Sequence, residues 1–145
     1  MTGPSRMRTV TAAIAPWVVG SLPDPSEIQT TGTASFTGTA IANVNNNGDR
    51  YVAFGDMTTN WNFGTRMGTL NVTGLDNANY AANITSANGR EATGALTGAG
   101  RTGTVNTSFM RGGADPSAAI IGQFELSEDS GNPYRVGGIV MGDKD

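Results

Sequence analysis

The sequence predicts an all-β protein: a single eight-stranded antiparallel up-and-down β-barrel with an irregular N-terminal arm. Three observations lead there. The 145 residues include 21 glycines and only 14% charged side chains, with abundant threonine, alanine and asparagine. These are turn and strand residues, whereas leucine, lysine and glutamate, which favour helices, are scarce. From Thr31 onward, short runs alternate between small or apolar residues and polar ones, the period-two signature of a strand with one buried face. Clusters of Gly, Asn and Asp interrupt these runs at hairpin spacing. A chain of this length fits one domain and buries about two thirds of its unfolded surface, enough to hold without a disulfide or a metal.

Residues 1–30 form the arm. They hold four of the six prolines (Pro4, Pro16, Pro23 and Pro25) and show no alternation. Pro16-Trp17-Val18-Val19 is an apolar hook, and Trp17, Val18 and Val19 are the candidate partner-docking residues. Asp24-Pro25-Ser26-Glu27 reads as a helix start, with Asp as N-cap, Pro at the first helical position and Glu at the third. There is room for one turn.

Residues 31–145 form the barrel domain. In Thr33–Ile41, the residues Ala34, Phe36, Gly38 and Ala40 share one face. Asn43–Asp49 is expected to turn the chain into Tyr51–Phe63, whose inward face carries Tyr51, Ala53, Gly55, Met57, Thr59, Trp61 and Phe63. Gly68–Thr73 follows, then Asp76-Asn77 as a turn and Tyr80–Thr85. Asn88-Gly89 is a hairpin signal leading into Ala92–Thr97. Gly103–Phe109, Ala118–Leu126 and Tyr134–Met141 complete the set, the last two joined across Ser130-Gly131-Asn132-Pro133. Asp115-Pro116 repeats the cap-then-proline arrangement before the seventh strand. Small inward residues (Gly38, Gly55, Gly68, Gly94, Gly122, Gly138) recur between large ones (Phe36, Trp61, Leu70, Leu96, Phe109, Phe124), as a filled, tapering interior requires. Eight strands can close and so remove exposed edges. A two-sheet sandwich has the same local pattern, and the sequence leaves both open.

The residues that carry chemistry are mostly missing. The net charge of −3 runs against nucleic-acid binding, which needs a basic stripe to release counterions. There is no cysteine and no histidine, so disulfides, thiolate sites, the usual general base and the commonest transition-metal ligand are all absent. Gly98-Ala-Gly100-Arg-Thr-Gly103 matches a dinucleotide fingerprint, but a strand pattern follows it where that motif needs a helix N-terminus. Asn43 to Gly48 resembles the opening of a calcium loop, yet its oxygen ligands are neutral and its twelfth position is Phe54 rather than a bidentate glutamate. Most carboxylates fall at turns or strand ends. Asp56 lies mid-strand, on the outer face. No catalytic, cofactor or metal residue is assigned. No apolar run reaches the ~18–20 residues of a membrane helix. Met1 to Gly20 makes a poor signal peptide, and the sequence reads as a piece of a longer chain.

Several strings in order carry a family likeness. Thr31-Gly-Thr-Ala-Ser-Phe-Thr-Gly38 opens the barrel, and Gly55-Asp-Met-Thr-Thr-Asn-Trp-Asn-Phe-Gly64 follows. Gly68-Thr-Leu-Asn-Val, Ala119-Ile-Ile-Gly-Gln-Phe124 and Tyr134-Arg-Val-Gly-Gly138 come next. Over this span the chain resembles the C-terminal β-barrel domain of transferrin-binding protein B-like proteins, especially the short bacterial exoprotein type. The resemblance implies export by Gram-negative bacteria to the extracellular space or outer-membrane surface. Members bind host iron carriers, haem or complement regulators. Their binding residues lie in long loops and a partner lobe, so no site residue is carried over.

The expected function is therefore a non-enzymatic, secreted or surface-displayed binding module. Its partner would be another protein, a neighbouring copy or a small apolar ligand. The alternative is a structural subunit of an extracellular polymer that docks its N-terminal arm on a neighbouring copy.

Overall fold

A computed structural model describes residues 21–128 and 133–145. Eight strands follow one another: β1 (Thr33–Asn46), β2 (Asp49–Asn62), β3 (Met67–Leu75), β4 (Ala78–Thr85), β5 (Glu91–Gly98), β6 (Arg101–Gly112), β7 (Asp115–Glu128) and β8 (Tyr134–Lys144). Each pairs antiparallel with the next, and β8 returns to β1 over Phe36↔Lys144 to Asn46↔Tyr134. That last ladder closes the barrel and decides against the sandwich. Closure leaves no strand edge unpaired.

The turns explain the register. Asn47 and Gly48 both have positive φ (54° and 97°), as do Asp76 and Asn77 (50° and 62°) and Ala99 and Gly100 (53° and 73°). Positive φ at both central residues marks the type I′ hairpin turn, whose twist suits the flanking strands. Gly98 to Gly103 is thus strand, turn, strand, and no helix receives it.

One expectation needs correction and another needs refining. Asn43–Asp49 is not one long turn: β1 runs on to Asn46, because Ala42 and Val44 are buried and extend the inward face. Asn88-Gly89 does mark the β4–β5 hairpin, but the connection is longer than a two-residue turn. The pair lies in the 86–90 connection, where Asn88 Oδ1 accepts from the N–H groups of Arg90 (2.9 Å) and Glu91 (3.0 Å).

Inside, side chains fill the barrel. Phe109 is the hub, with ring centroids 5.6 Å from Phe36, 5.7 Å from Trp61 and 5.6 Å from Phe63. Met57, Leu70, Ile84, Leu96, Ile120, Phe124 and Val140 complete the core. The Trp61 indole N–H is buried there without an acceptor, a cost of about 1–3 kcal/mol set against the burial of a large ring. Glycines on the inward face admit the neighbouring backbone. A Cβ on Gly38 would collide with the Met141 carbonyl and the Gly142 Cα across the β1–β8 seam.

The described part of the arm covers the barrel end that bears the β1 and β8 termini. Ser21 bridges to Arg111, and Arg90 Nη1 donates to the Pro23 carbonyl at 3.0 Å. Pro25–Glu27 forms one 3₁₀ turn, with the Glu27 carboxylate accepting from the Asp24 N–H at 2.8 Å and pairing with Arg111. Ile28, 5% exposed, inserts into the core.

Candidate functional site

At the other mouth, all three tyrosines of the chain meet. Tyr51 enters from β2, Tyr80 from β4 and Tyr134 from β8. Asp76, in the β3–β4 turn, accepts the Tyr134 hydroxyl at 2.6 Å and the Tyr51 hydroxyl at 2.8 Å. Arg101 donates to Tyr80 at 2.7 Å and to Glu128 at 2.9 Å. Its guanidinium also lies 3.7 Å from the Tyr134 ring centre. Burial and the Asp76 bond push the Tyr134 phenol up, and for Tyr51 the Asp76 bond is the main cause. Burial alone would lower Arg101, but the bonds to Tyr80 and Glu128 outweigh it and hold the guanidinium charged. Every group here answers another, so the cluster is a polar lid on an apolar core. Tyr51, expected on the inward face, instead sits at the rim, 38% exposed.

The second place is the outer wall. Over β3 to β6 that wall is mostly polar or small, with Thr69, Thr73, Asn83, Thr93, Thr104 and Asn106 facing outward and Met67, 54% exposed, standing alone at the start of β3. Over β2, β1, β8 and β7 it changes character. The registers set Phe54, Ile41, Ile139 and Gln123 in one cross-strand row, and Asp56, Thr39, Met141 and Ile121 in the row beside it. Phe54 is 63% exposed and Val52 44%, while Ile41, Ile121, Ile139 and Met141 are half-buried by one another's company.

Four residues along the strands, about 13 Å away, the matching row reads Arg50, Asn45, Arg135 and Ser127. A groove of about 730 Å³ runs between, lined by Asn43, Arg50, Val52, Glu125, Arg135 and Gly137 among others. A second hollow of about 610 Å³ continues past Ile121, Gln123 and Ile139 toward Thr93.

No family model and no curated protein sequence matches the chain. Solved structures do. Transferrin binding protein B from Haemophilus parasuis superposes with a TM-score of 0.66 at 16% identity, over 86% of this chain and 28% of that one. The isotype 1 protein from serogroup B Neisseria meningitidis gives 0.65 at 12% identity, over 87% and 28%. The fold is a transferrin-binding protein B-like barrel. HpuA from Kingella denitrificans, solved in complex with human haemoglobin, gives 0.54 at 16% identity, over 81% of this chain and 43% of that one. This chain therefore spans under a third of the length of the transferrin binding protein B chains named here.

Trp17, Val18 and Val19 lie outside the described residues. The groups found instead, Phe54 with its apolar row and Arg50 with Arg135, were not singled out by pattern. A signal for the row was present. Ala40-Ile41-Ala42, Ala53-Phe54, Ile120-Ile121 and Ile139-Val140-Met141 are places where apolar residues occupy both parities, which a one-sided barrel strand has no need of. The arginines gave no such signal, because only the registers bring β2 and β8 to either side of β1. A small apolar ligand inside the barrel gains no support, since the space it would need is taken by Phe36, Trp61, Phe109 and their neighbours. Nothing on the described residues favours a neighbouring copy.

Proposed function

We propose that this barrel is a non-enzymatic binding module of the bacterial surface, and that it recognises another protein across the outer wall of β2, β1, β8 and β7. The observation that carries this reading is the cross-strand row of Phe54, Ile41 and Ile139, apolar and outward on a barrel whose wall over β3 to β6 is mostly polar or small, Met67 excepted. Burying such a row gains about 25 cal/mol per Å² of apolar area, and contiguous exposed patches of this kind mark interaction sites. The fold neighbours support a binding role of this sort, since HpuA was solved holding human haemoglobin. They also support a surface location, one neighbour being described as a surface lipoprotein.

The test places a photo-crosslinking amino acid at Phe54 and, separately, at the exposed Asn83 on β4. Each variant is exposed to serum and lysed blood, sources of transferrin and haemoglobin, and the adducts are identified. A discrete adduct from position 54 and none from position 83 is expected. Equal labelling at both positions would refute recognition by this wall.

A further inference from the structure

Resting on that reading, we infer that the partner presents an extended segment whose carboxylate seats between Arg50 and Arg135, with apolar side chains about 13 Å further along on the Phe54 row. Among the described residues, Arg90, Arg101, Arg111 and Lys144 each hold a carboxylate, and Arg66 holds the Ala87 carbonyl. Arg50 and Arg135 are the cations without a partner there. Both are exposed, and they stand one strand to either side of Asn45, about 10 Å apart at the Cα atoms. The Asn45 side chain is drawn aside, its Oδ1 accepting from the Gly48 N–H at 3.0 Å. On a protein of net charge −3, two unanswered arginines in a groove beside an apolar row select an acidic partner by charge complementarity.

The groove floor fixes the shape of that partner. In the row between the arginines and Phe54 stand Val52, Asn43, Gly137 and Glu125. A Cβ on Gly137 would meet nothing within 4 Å, so the glycine serves no packing need of the barrel and leaves an open trough. Glu125 closes the β7 side with a negative charge, which keeps an incoming carboxylate over β1. An extended chain lying along the strands presents alternate residues to the wall. Its contact pattern is then a carboxylate at one position and apolar side chains four and six residues later, facing the Phe54 row and the Met141–Ile121 row.

The probe is a synthetic peptide, Thr-Glu-Thr-Thr-Thr-Leu-Thr-Leu-Thr, displayed densely on a sensor so that multivalency offsets weak single contacts. The full chain flows over it at low and high salt. Control peptides carry Glu→Lys, or both Leu→Ser. Binding to the first peptide should exceed both controls at least about tenfold and weaken with salt. It should be lost in Arg50→Glu/Arg135→Glu and in Gly137→Glu, which fills the trough without disturbing the barrel. Glu125→Gln should strengthen it.

Equal binding of the Lys peptide, indifference to Gly137→Glu, or no binding at all would each overturn the inference. So would binding to phosphatidylserine-containing vesicles in place of the peptide, which makes the occupant a membrane. A dimer abolished by Arg50→Glu would overturn it too, by making the occupant a second copy. If the peptide fails while position 54 still crosslinks to a protein, the surface reading stands and only the acidic-segment inference falls.

Discussion

Replacing Tyr134 with phenylalanine isolates the strongest bond in the tyrosine lid. The ring stays, so its packing and its contact with Arg101 at 3.7 Å are retained. What goes is one hydroxyl, 2.6 Å from Asp76, on a residue only 3% exposed. A hydrogen bond to a charged group contributes about 1.5–3 kcal/mol net. Asp76 is half-buried and keeps the Tyr51 hydroxyl, so it regains part of the loss from water, and the low end, about 1.5 kcal/mol, is expected. For a chain of this size that is a fall of about 5 °C in Tm.

Tyr51→Phe, at an exposed residue, should cost about 0.5 kcal/mol or less. Asp76→Asn keeps the turn, because asparagine tolerates the positive φ of 50° found there. Combined with Tyr134→Phe it should therefore cost less than the sum of the two single changes. Urea unfolding followed by tryptophan fluorescence, and Tm at neutral pH, measure all four variants. Both phenols are raised above the ordinary value of 10.0. The lid's contribution is accordingly complete below pH 10 and lost as pH climbs beyond it. Tyr134→Phe should flatten that alkaline loss. A Tyr134→Phe variant no less stable than Tyr51→Phe, or with the parent's alkaline profile, would refute the argument.

Two further outcomes follow from glycine geometry and from the carboxylates. Gly38→Ala drives a Cβ into the Met141 carbonyl at the β1–β8 seam and should cost about 3 kcal/mol or more, whereas Gly137→Ala should change stability by no more than about 0.5 kcal/mol; urea midpoints compare them directly. Asp115 is held below its ordinary 3.8, Lys144 at 2.9 Å outweighing the opposing effect of burial. Glu27, bonded to Arg111, and Glu91, bonded to Asn88, are held below 4.5. Lowered carboxylates stabilise the fold above their unfolded values and lose that contribution as pH falls through the folded ones. Tm should thus decline from about pH 4.5 downward, and Asp115→Asn should make the decline shallower. A flat acid limb would contradict those assignments.

How much could be read in advance is shown by particular residues. The alternation that places Phe36, Met57, Trp61, Leu70, Leu96 and Phe109 inward is a local property, set by which side of a pleated backbone each side chain leaves, and it survives in the structure. The Asn47-Gly48 and Asp76-Asn77 turns are equally local, because the positive φ that they require is a preference of those residues themselves. Where pattern failed, tertiary pairing had overruled a local cue. Asn43 and Asn45 look like loop residues, yet they stay in β1 because Ala42 and Val44 beside them are buried against the rest of the barrel.

By itself the sequence determined that the chain is all-β, that eight strands alternate about one interior, and that side chains fill that interior. Only the tertiary structure decided that β8 closes on β1, that Tyr51, Tyr80 and Tyr134 converge on Asp76 and Arg101, and that Arg50, Arg135 and Phe54 share one wall. Each of these depends on cross-strand register, which joins residues as far apart in sequence as Asn45 and Arg135. Periodicity reports the face of a residue but not its neighbour across the ladder. That neighbour is fixed only when the whole barrel closes.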